Sequence, residues 1–280
     1  MNDIESRRVA STLVSLRVWG AILGRQTSLM ANLRRMSRHS SLAAPAAAFP
    51  QPAAQRPVIM LEQVAKTYHR EGAPVVALRG VDLVIRPGEF AAIMGRSGSG
   101  KSTLLHILGL LDAEYDGTYS FDGELVSGLD GDALARLRNR KIGFVFQSFH
   151  LLPQLSILEN AELPALYAGR APTECRAAAR ACLEQMGLGH RLDHKPMELS
   201  IGQRQRAGIA RALVNEPRVL LADEPTGALD TRTAQEILDL LRELHREGVT
   251  VVLVTHDREV GAAAERIIHI TDGQTHDGVA

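Results

Sequence analysis

Gly95-Arg-Ser-Gly-Ser-Gly-Lys101-Ser102 constrains this chain more than any other stretch. It matches the pattern G-x-x-x-x-G-K-[ST], follows the apolar run Phe90–Met94, and precedes a helix that the sequence places from near Ser102. A strand, a glycine-rich turn and a helix in that order call for an α/β domain built on a parallel sheet. The glycines let backbone N–H groups converge on phosphate oxygens, and the helix start adds partial positive charge. Lys101 is placed to reach the β- and γ-phosphates of a nucleotide, and Ser102 to ligate Mg²⁺. Chance alone gives such a match in roughly one chain of this length in a hundred.

The rest of the body agrees with that frame. Short β-rich runs stand at Val58–Leu61, Val75–Leu78, Val81–Ile85 and Ile142–Phe146, with later ones at Val219–Asp223, Thr250–Thr255 and Ile267–Ile270. The runs at 219 and 250 are continuously apolar, as strands buried on both faces are. Between them Ile237, Leu240, Leu241 and Leu244 recur with helical spacing over Thr233–Arg246. Asp130 and Asp132, close to Gly128 and Gly131, suggest a loop and not a Ca²⁺ site.

Charge divides the chain. Residues 1–57 carry eight Arg against Asp3 and Glu5, while the remaining 223 residues hold 24 basic and 30 acidic side chains. A mildly acidic body argues against a dedicated nucleic-acid binder. Residues 1–57 end in Ala43-Ala-Pro-Ala-Ala-Ala-Phe-Pro-Gln-Pro52, a linker composition. Arg17 interrupts the apolar core that a signal peptide would need. Val14, Val18 and Ile22 fall opposite Leu13, Leu16 and Leu23, so no clean amphipathic face forms. The stretch is read as a disordered basic extension, or as residues preceding a later initiating Met. No uninterrupted apolar run approaches the ~18 residues that cross a bilayer. Cys175 and Cys182 lie about 10 Å apart if helical, too far for a disulfide. His190 and His194 are spaced like metal ligands, but no Glu or Cys joins them, and they are read as surface.

Val219-Leu-Leu-Ala-Asp223-Glu224 is an apolar strand ending in two acids. Downstream of a phosphate loop, Asp223 suits a hold on Mg²⁺ and Glu224 suits a general base. Without that loop the pair would be two solvated acids at a strand end. Tyr68 could be a packing aromatic, Gln147 a turn residue, and His256 a strand-end core histidine.

Order and spacing together carry more. The chain resembles the nucleotide-binding subunit of ATP-binding cassette (ABC) transporters over residues 58–273. Tyr68 stands where that family stacks an aromatic on adenine, and Gln147 ends a strand as the family's Q-loop does. Leu199-Ser200-Ile201-Gly202-Gln203 matches the family signature except at Ile201, where a glycine is usual. Ala228-Leu229-Asp230 resembles its D-loop and His256 its switch histidine. Leu104 to Asp112, Leu129 to Arg138 and Leu163 to Gly169 further resemble the macrolide-export and lipoprotein-release branch.

The resemblance implies a P-loop NTPase core with a parallel sheet, an antiparallel β subdomain and a helical subdomain at about 150–215, all within 58–280. It implies ATP and Mg²⁺. Gly95, Arg96, Ser97, Gly98, Ser99, Gly100, Lys101, Ser102 and Thr103 would surround the phosphates, and Ser102, Gln147 and Asp223 the metal. Lys101, Gln147, Glu224 and His256 would act in hydrolysis. Ser200, Gly202, Gln203 and Asp230 would meet the nucleotide of a second copy, giving an ATP-dependent homodimer. A separately encoded permease and a peripheral position on the cytoplasmic face of the inner (plasma) membrane follow from the same likeness. A chromosome-structure or repair ATPase is disfavoured, because only 99 positions separate Lys101 from Ser200 and no heptads lie between them.

Overall fold

The computed structural model describes residues 56–69 and 73–278, so the expected 1–57 extension lies almost wholly outside the described residues. Strands β1 (Ile59–Tyr68) and β2 (Val75–Ile85) pair antiparallel. The two runs expected at 75–78 and 81–85 are one strand; Gly80, at φ 66, carries it across the irregular register with β1. Next come β3 (Phe90–Met94), helix α1 (Lys101–Leu108), β4 (Asp116–Phe121) and β5 (Glu124–Leu125). Helix α2 (Gly131–Lys141) occupies what the sequence suggested was a loop. Asp130 starts it by accepting the Ala133 N–H, and Arg138, Arg140 and Lys141 sit in its last turn, where the helix dipole favours cations.

Strand β6 (Ile142–Phe146) leads to three helices, α3 (Ile157–Tyr167), α4 (Pro172–Gln185) and α5 (Ile201–Leu213). The chain ends as β7 (Val219–Asp223), α6 (Thr231–Arg246), β8 (Thr250–Thr255), α7 (Arg258–Gly261), β9 (Arg266–Thr271) and β10 (Gln274–Gly278).

Two sheets result: an antiparallel one ordered β2-β1-β4-β5, and one ordered β10-β9-β3-β8-β7-β6 that is parallel except for β10. Alternation explains the unbroken apolar runs. Phe90, Ala92, Leu220, Ala222, Val251 and Leu253 face a core shared with α3, α4, α5 and α6. Ala91, Ile93, Val219, Leu221, Val252 and Val254 face α1 and the antiparallel sheet. Both faces of β3, β7 and β8 are thereby covered, so their C-terminal ends are fixed relative to one another. Cys175 and Cys182 are free thiols on α4, and burial pushes the Cys182 thiol up to about 11. No helix among the described residues is long and apolar enough to cross a membrane.

Candidate functional site

The C-terminal ends of β3, β7 and β8 converge on an open cavity of about 1350 Å³. Residues 95–103 form one wall, Tyr68 and Val75–Ala77 another, and Asp223, Glu224 and His256 a third. The loop fits polyphosphate on three observations. The residue preceding α1 is Gly100 at φ 107, which makes no side-chain cap, so the first N–H groups of the helix are left for an anion. A Cβ on Gly100 would sit 2.6 Å from the Ala77 carbonyl, which holds this position to glycine. Ser99 Oγ is buried without a partner. Lys101 Nζ donates to the Gly95 and Arg96 carbonyls at 2.7 and 2.9 Å, folding over the loop it would share with a ligand.

Across the cavity, burial raises the Asp223 carboxyl above its usual range, Glu224 adds to that, and His106 and Lys101 partly offset it. A carboxylate in that position is stabilised by a cation, and the exposed Ser102 hydroxyl lies on the same cavity wall. The donor set therefore fits Mg²⁺. Glu224 adopts φ 42, a left-handed backbone unusual for this residue, and its N–H donates to the Val254 carbonyl on β8 at 2.9 Å. Its Oε1 accepts from the His256 N–H at 3.0 Å and from His256 Nδ1 at 2.5 Å, and its Oε2 accepts from Thr255 Oγ1 at 2.9 Å. A carboxylate only accepts, so Nδ1 carries the proton, and a neutral ring keeps its lone pair on Nε2.

Tyr68 is held from behind. Its hydroxyl lies 3.4 Å from Asp112 Oδ2 and 3.5 Å from Thr103 Oγ1, and Lys66 Nζ sits 5.0 Å from its ring centroid. Lys66 is buried and pairs with Asp112 at 2.9 Å. Burial would raise the Asp112 carboxyl, but hydrogen bonds from Lys66, the Glu114 backbone and Tyr68 outweigh it and hold it below the usual range.

The remaining expected residues lie elsewhere. Gln147, Ser200, Gly202, Gln203 and Asp230 do not line this cavity. Ser200 caps α5 in a capping box: its Oγ accepts the Gln203 N–H at 3.2 Å while Gln203 Oε1 accepts the Ser200 N–H at 3.0 Å. Ile201 is the first residue of α5 with ordinary negative φ, and it is 45% exposed. Gly202 serves a close approach, since a Cβ there would meet Thr233 Cγ2 at 2.5 Å. Asp230 caps α6 through the Thr233 N–H and Oγ1 at 3.1 and 2.7 Å, and those two bonds lower its carboxyl pKa. Gln147 follows β6, exposed, with its amide beside Gly227.

Sequence reasoning missed Thr255, Thr233, Lys66 and Asp112. The one visible signal was Thr255, a polar residue ending an apolar strand beside His256. It also missed a second groove of about 660 Å³ between α2, β6, α3 and α5, lined by Arg136, Arg140, Phe144, Tyr167 and Arg211. The backbone beside it is strained at Phe149 and His150, at φ 59 and 48. Arg211, on α5, donates to both of their carbonyls at 2.7 and 2.5 Å, and Arg204 stacks over the Phe149 ring. His190 and His194 form no metal cluster among the described residues.

A glycine-lined helix start facing a strand that ends in two carboxylates defines a P-loop nucleotide hydrolase. The family described as ABC transporter matches residues 78–227. The macrolide export ATP-binding/permease protein MacB of Brucella melitensis is 54% identical over 218 residues, 78% of this chain and 34% of that protein. The pyoverdine export ATP-binding/permease protein PvdT of Pseudomonas fluorescens is 54% identical over 220 residues, 78% of this chain and 34% of its own. The dimeric bacterial ABC transporter cassette MJ0796 is 47% identical, covers 78% of this chain and 98% of its own, and superposes with a TM-score of 0.72. The same cassette in a post-hydrolysis state with ADP and Pi is 45% identical, with 79% and 98% coverage and a TM-score of 0.73. The chain spans about a third of the length of the curated relatives it matches. It belongs to the ABC transporter family, and its domain is an ABC-type ATPase.

Proposed function

We propose that this chain hydrolyses MgATP as a homodimer and thereby drives a separately encoded permease for export or for lipoprotein or peptide extrusion. It would work as a peripheral subunit on the cytoplasmic face of the inner membrane. One observation carries the reading: the cavity holds an open phosphate loop and the Asp223–Glu224 strand end, while Ser200, Gly202, Gln203 and Asp230 lie outside it on helix starts of their own. A second protomer would bring those residues over the nucleotide. The dimeric state of the MJ0796 cassette supports this.

In that dimer Tyr68 stacks on adenine, residues 95–103 surround the phosphates, and Lys101 leaves the Gly95 and Arg96 carbonyls for phosphate oxygens. Ser102 and Asp223 would hold Mg²⁺, joined by Gln147 once its amide turns in from beside Gly227, and the ion would supply charge neutralisation for the phosphates. Glu224 takes a proton from the attacking water as the water oxygen bonds to the γ-phosphorus and the bond to the ADP oxygen breaks. His256 turns from Glu224 toward the γ-phosphate. Loss of that phosphate removes the link between protomers, and the dimer opens. The strained stretch after Gln147, up to about Ile157, together with the basic-rimmed groove, would receive a cytoplasmic helix of the permease. Glu224→Gln should keep ATP binding and trap the dimer, so the variant should run at twice its monomer mass with MgATP and at monomer mass without it. Undiminished hydrolysis by this variant would remove Glu224 from the mechanism.

A further inference from the structure

We propose that Thr255 is a positioning residue for hydrolysis, one that fixes which oxygen of Glu224 is free to take the proton of water. The inference rests on Glu224 being the base. Thr255 is the last residue of β8, 0% exposed, in register with Met94 of β3. It does not line the cavity, so it touches neither nucleotide nor water there and acts only through Glu224.

Its hydroxyl has one hydrogen and two lone pairs. The Asp257 N–H donates to one lone pair of Oγ1 at 3.1 Å, and the hydroxyl hydrogen is given to Glu224 Oε2 at 2.9 Å. Asp257 is itself held in place by capping α7, accepting from the N–H groups of Glu259 and Val260. Thr255 Oγ1 is therefore fixed on both sides. Glu224 Oε2 is bound to a buried hydroxyl held by a second hydrogen bond, whereas a principal partner of Oε1 is the His256 side chain, which is 70% exposed. When that ring turns, Oε1 becomes the oxygen that receives water, and Oε2 stays anchored. The anchor also helps hold Glu224 at φ 42, a conformation a glutamate leaves readily unless its surroundings fix it.

Thr255→Val keeps the branched shape and removes the hydrogen. Its kcat for ATP should fall about tenfold or more, the range for losing a hydrogen bond to a charged group. KM for ATP should stay within twofold, and Thr255→Ser should restore most of the rate. Where the valine chain does not fold, Thr255→Cys, whose thiol is a poor donor, should show the same fall beside a near-normal serine variant. A kcat within twofold of the parent for the valine or cysteine variant would overturn the proposal, as would a KM that rises while kcat falls, without rescue by serine. Glu224→Gln run in parallel separates the two readings. If it still hydrolyses ATP at the parent rate, the base assignment fails; if it is inactive while Thr255→Val is normal, only the positioning role fails.

Discussion

Two helix starts in this domain solve the same problem in opposite ways. Helix α1 begins at Gly100 with no side-chain cap, leaving its first N–H groups unspent. Helix α5 begins at Ser200 with a complete capping box, so the Ser200 and Gln203 N–H groups are already satisfied within the chain. A helix start without a cap forgoes about 1 kcal/mol of local stability unless an anion takes the cap's place. The phosphate loop is thus unfinished without its ligand. The α5 start carries its own side-chain cap, and in the proposed dimer it would meet a ligand already bound elsewhere. In the proposed dimer the difference would separate binding, performed by the first end within one chain, from closure, performed by the second across two.

Lys101→Ala strikes the open end and should have the largest effect. Loss of a charge-assisted contact to phosphate should weaken MgATP binding about 10–200-fold, read by equilibrium titration of labelled nucleotide. Ser200→Ala strikes the closed end. It should lower stability by about 1 kcal/mol through loss of the cap, measured by urea denaturation, and leave nucleotide binding by the monomer unchanged. Ile201→Gly should do least. Ile201 already has helical backbone geometry and needs no glycine, so steady-state hydrolysis should change by less than about tenfold.

The same contrast governs what the sequence revealed. The apolar strands β3, β7 and β8 were legible because burial on both faces leaves no polar positions, and the glycine–lysine loop because few residues fit its backbone. Strands β4 and β10 were not, since Asp116-Gly-Thr-Tyr-Ser-Phe121 and Gln274-Thr-His-Asp-Gly278 carry no unbroken apolar run and owe their conformation to pairing with β1 and β9. Helix α2 was hidden because Leu134 is its one buried residue, leaving no apolar stripe, and the Asp130 cap looked like loop chemistry. Ile201 posed a question that sequence could not answer. Whether a β-branched residue fits the signature depends on φ, and the backbone places it inside the first helical turn. The roles of Thr255 and Thr233 depend on contacts between segments far apart in sequence, Glu224 with Thr255 and Gly202 with Thr233.

The separation of the two ends is tested most directly by Ile201→Glu. The position is exposed and helical, and an acidic residue in the first turn of a helix favours folding, so the variant should fold as the parent does. Its carboxylate would face the phosphates held by the other protomer. The measurement is MgATP affinity of the monomeric variant, alongside its sedimentation with MgATP in the Glu224→Gln background. Affinity within about twofold of the parent monomer, with the ATP-dependent dimer lost, is the predicted result. A tenfold loss of affinity in the monomer, or an undisturbed dimer, would contradict the division of labour between the two helix starts.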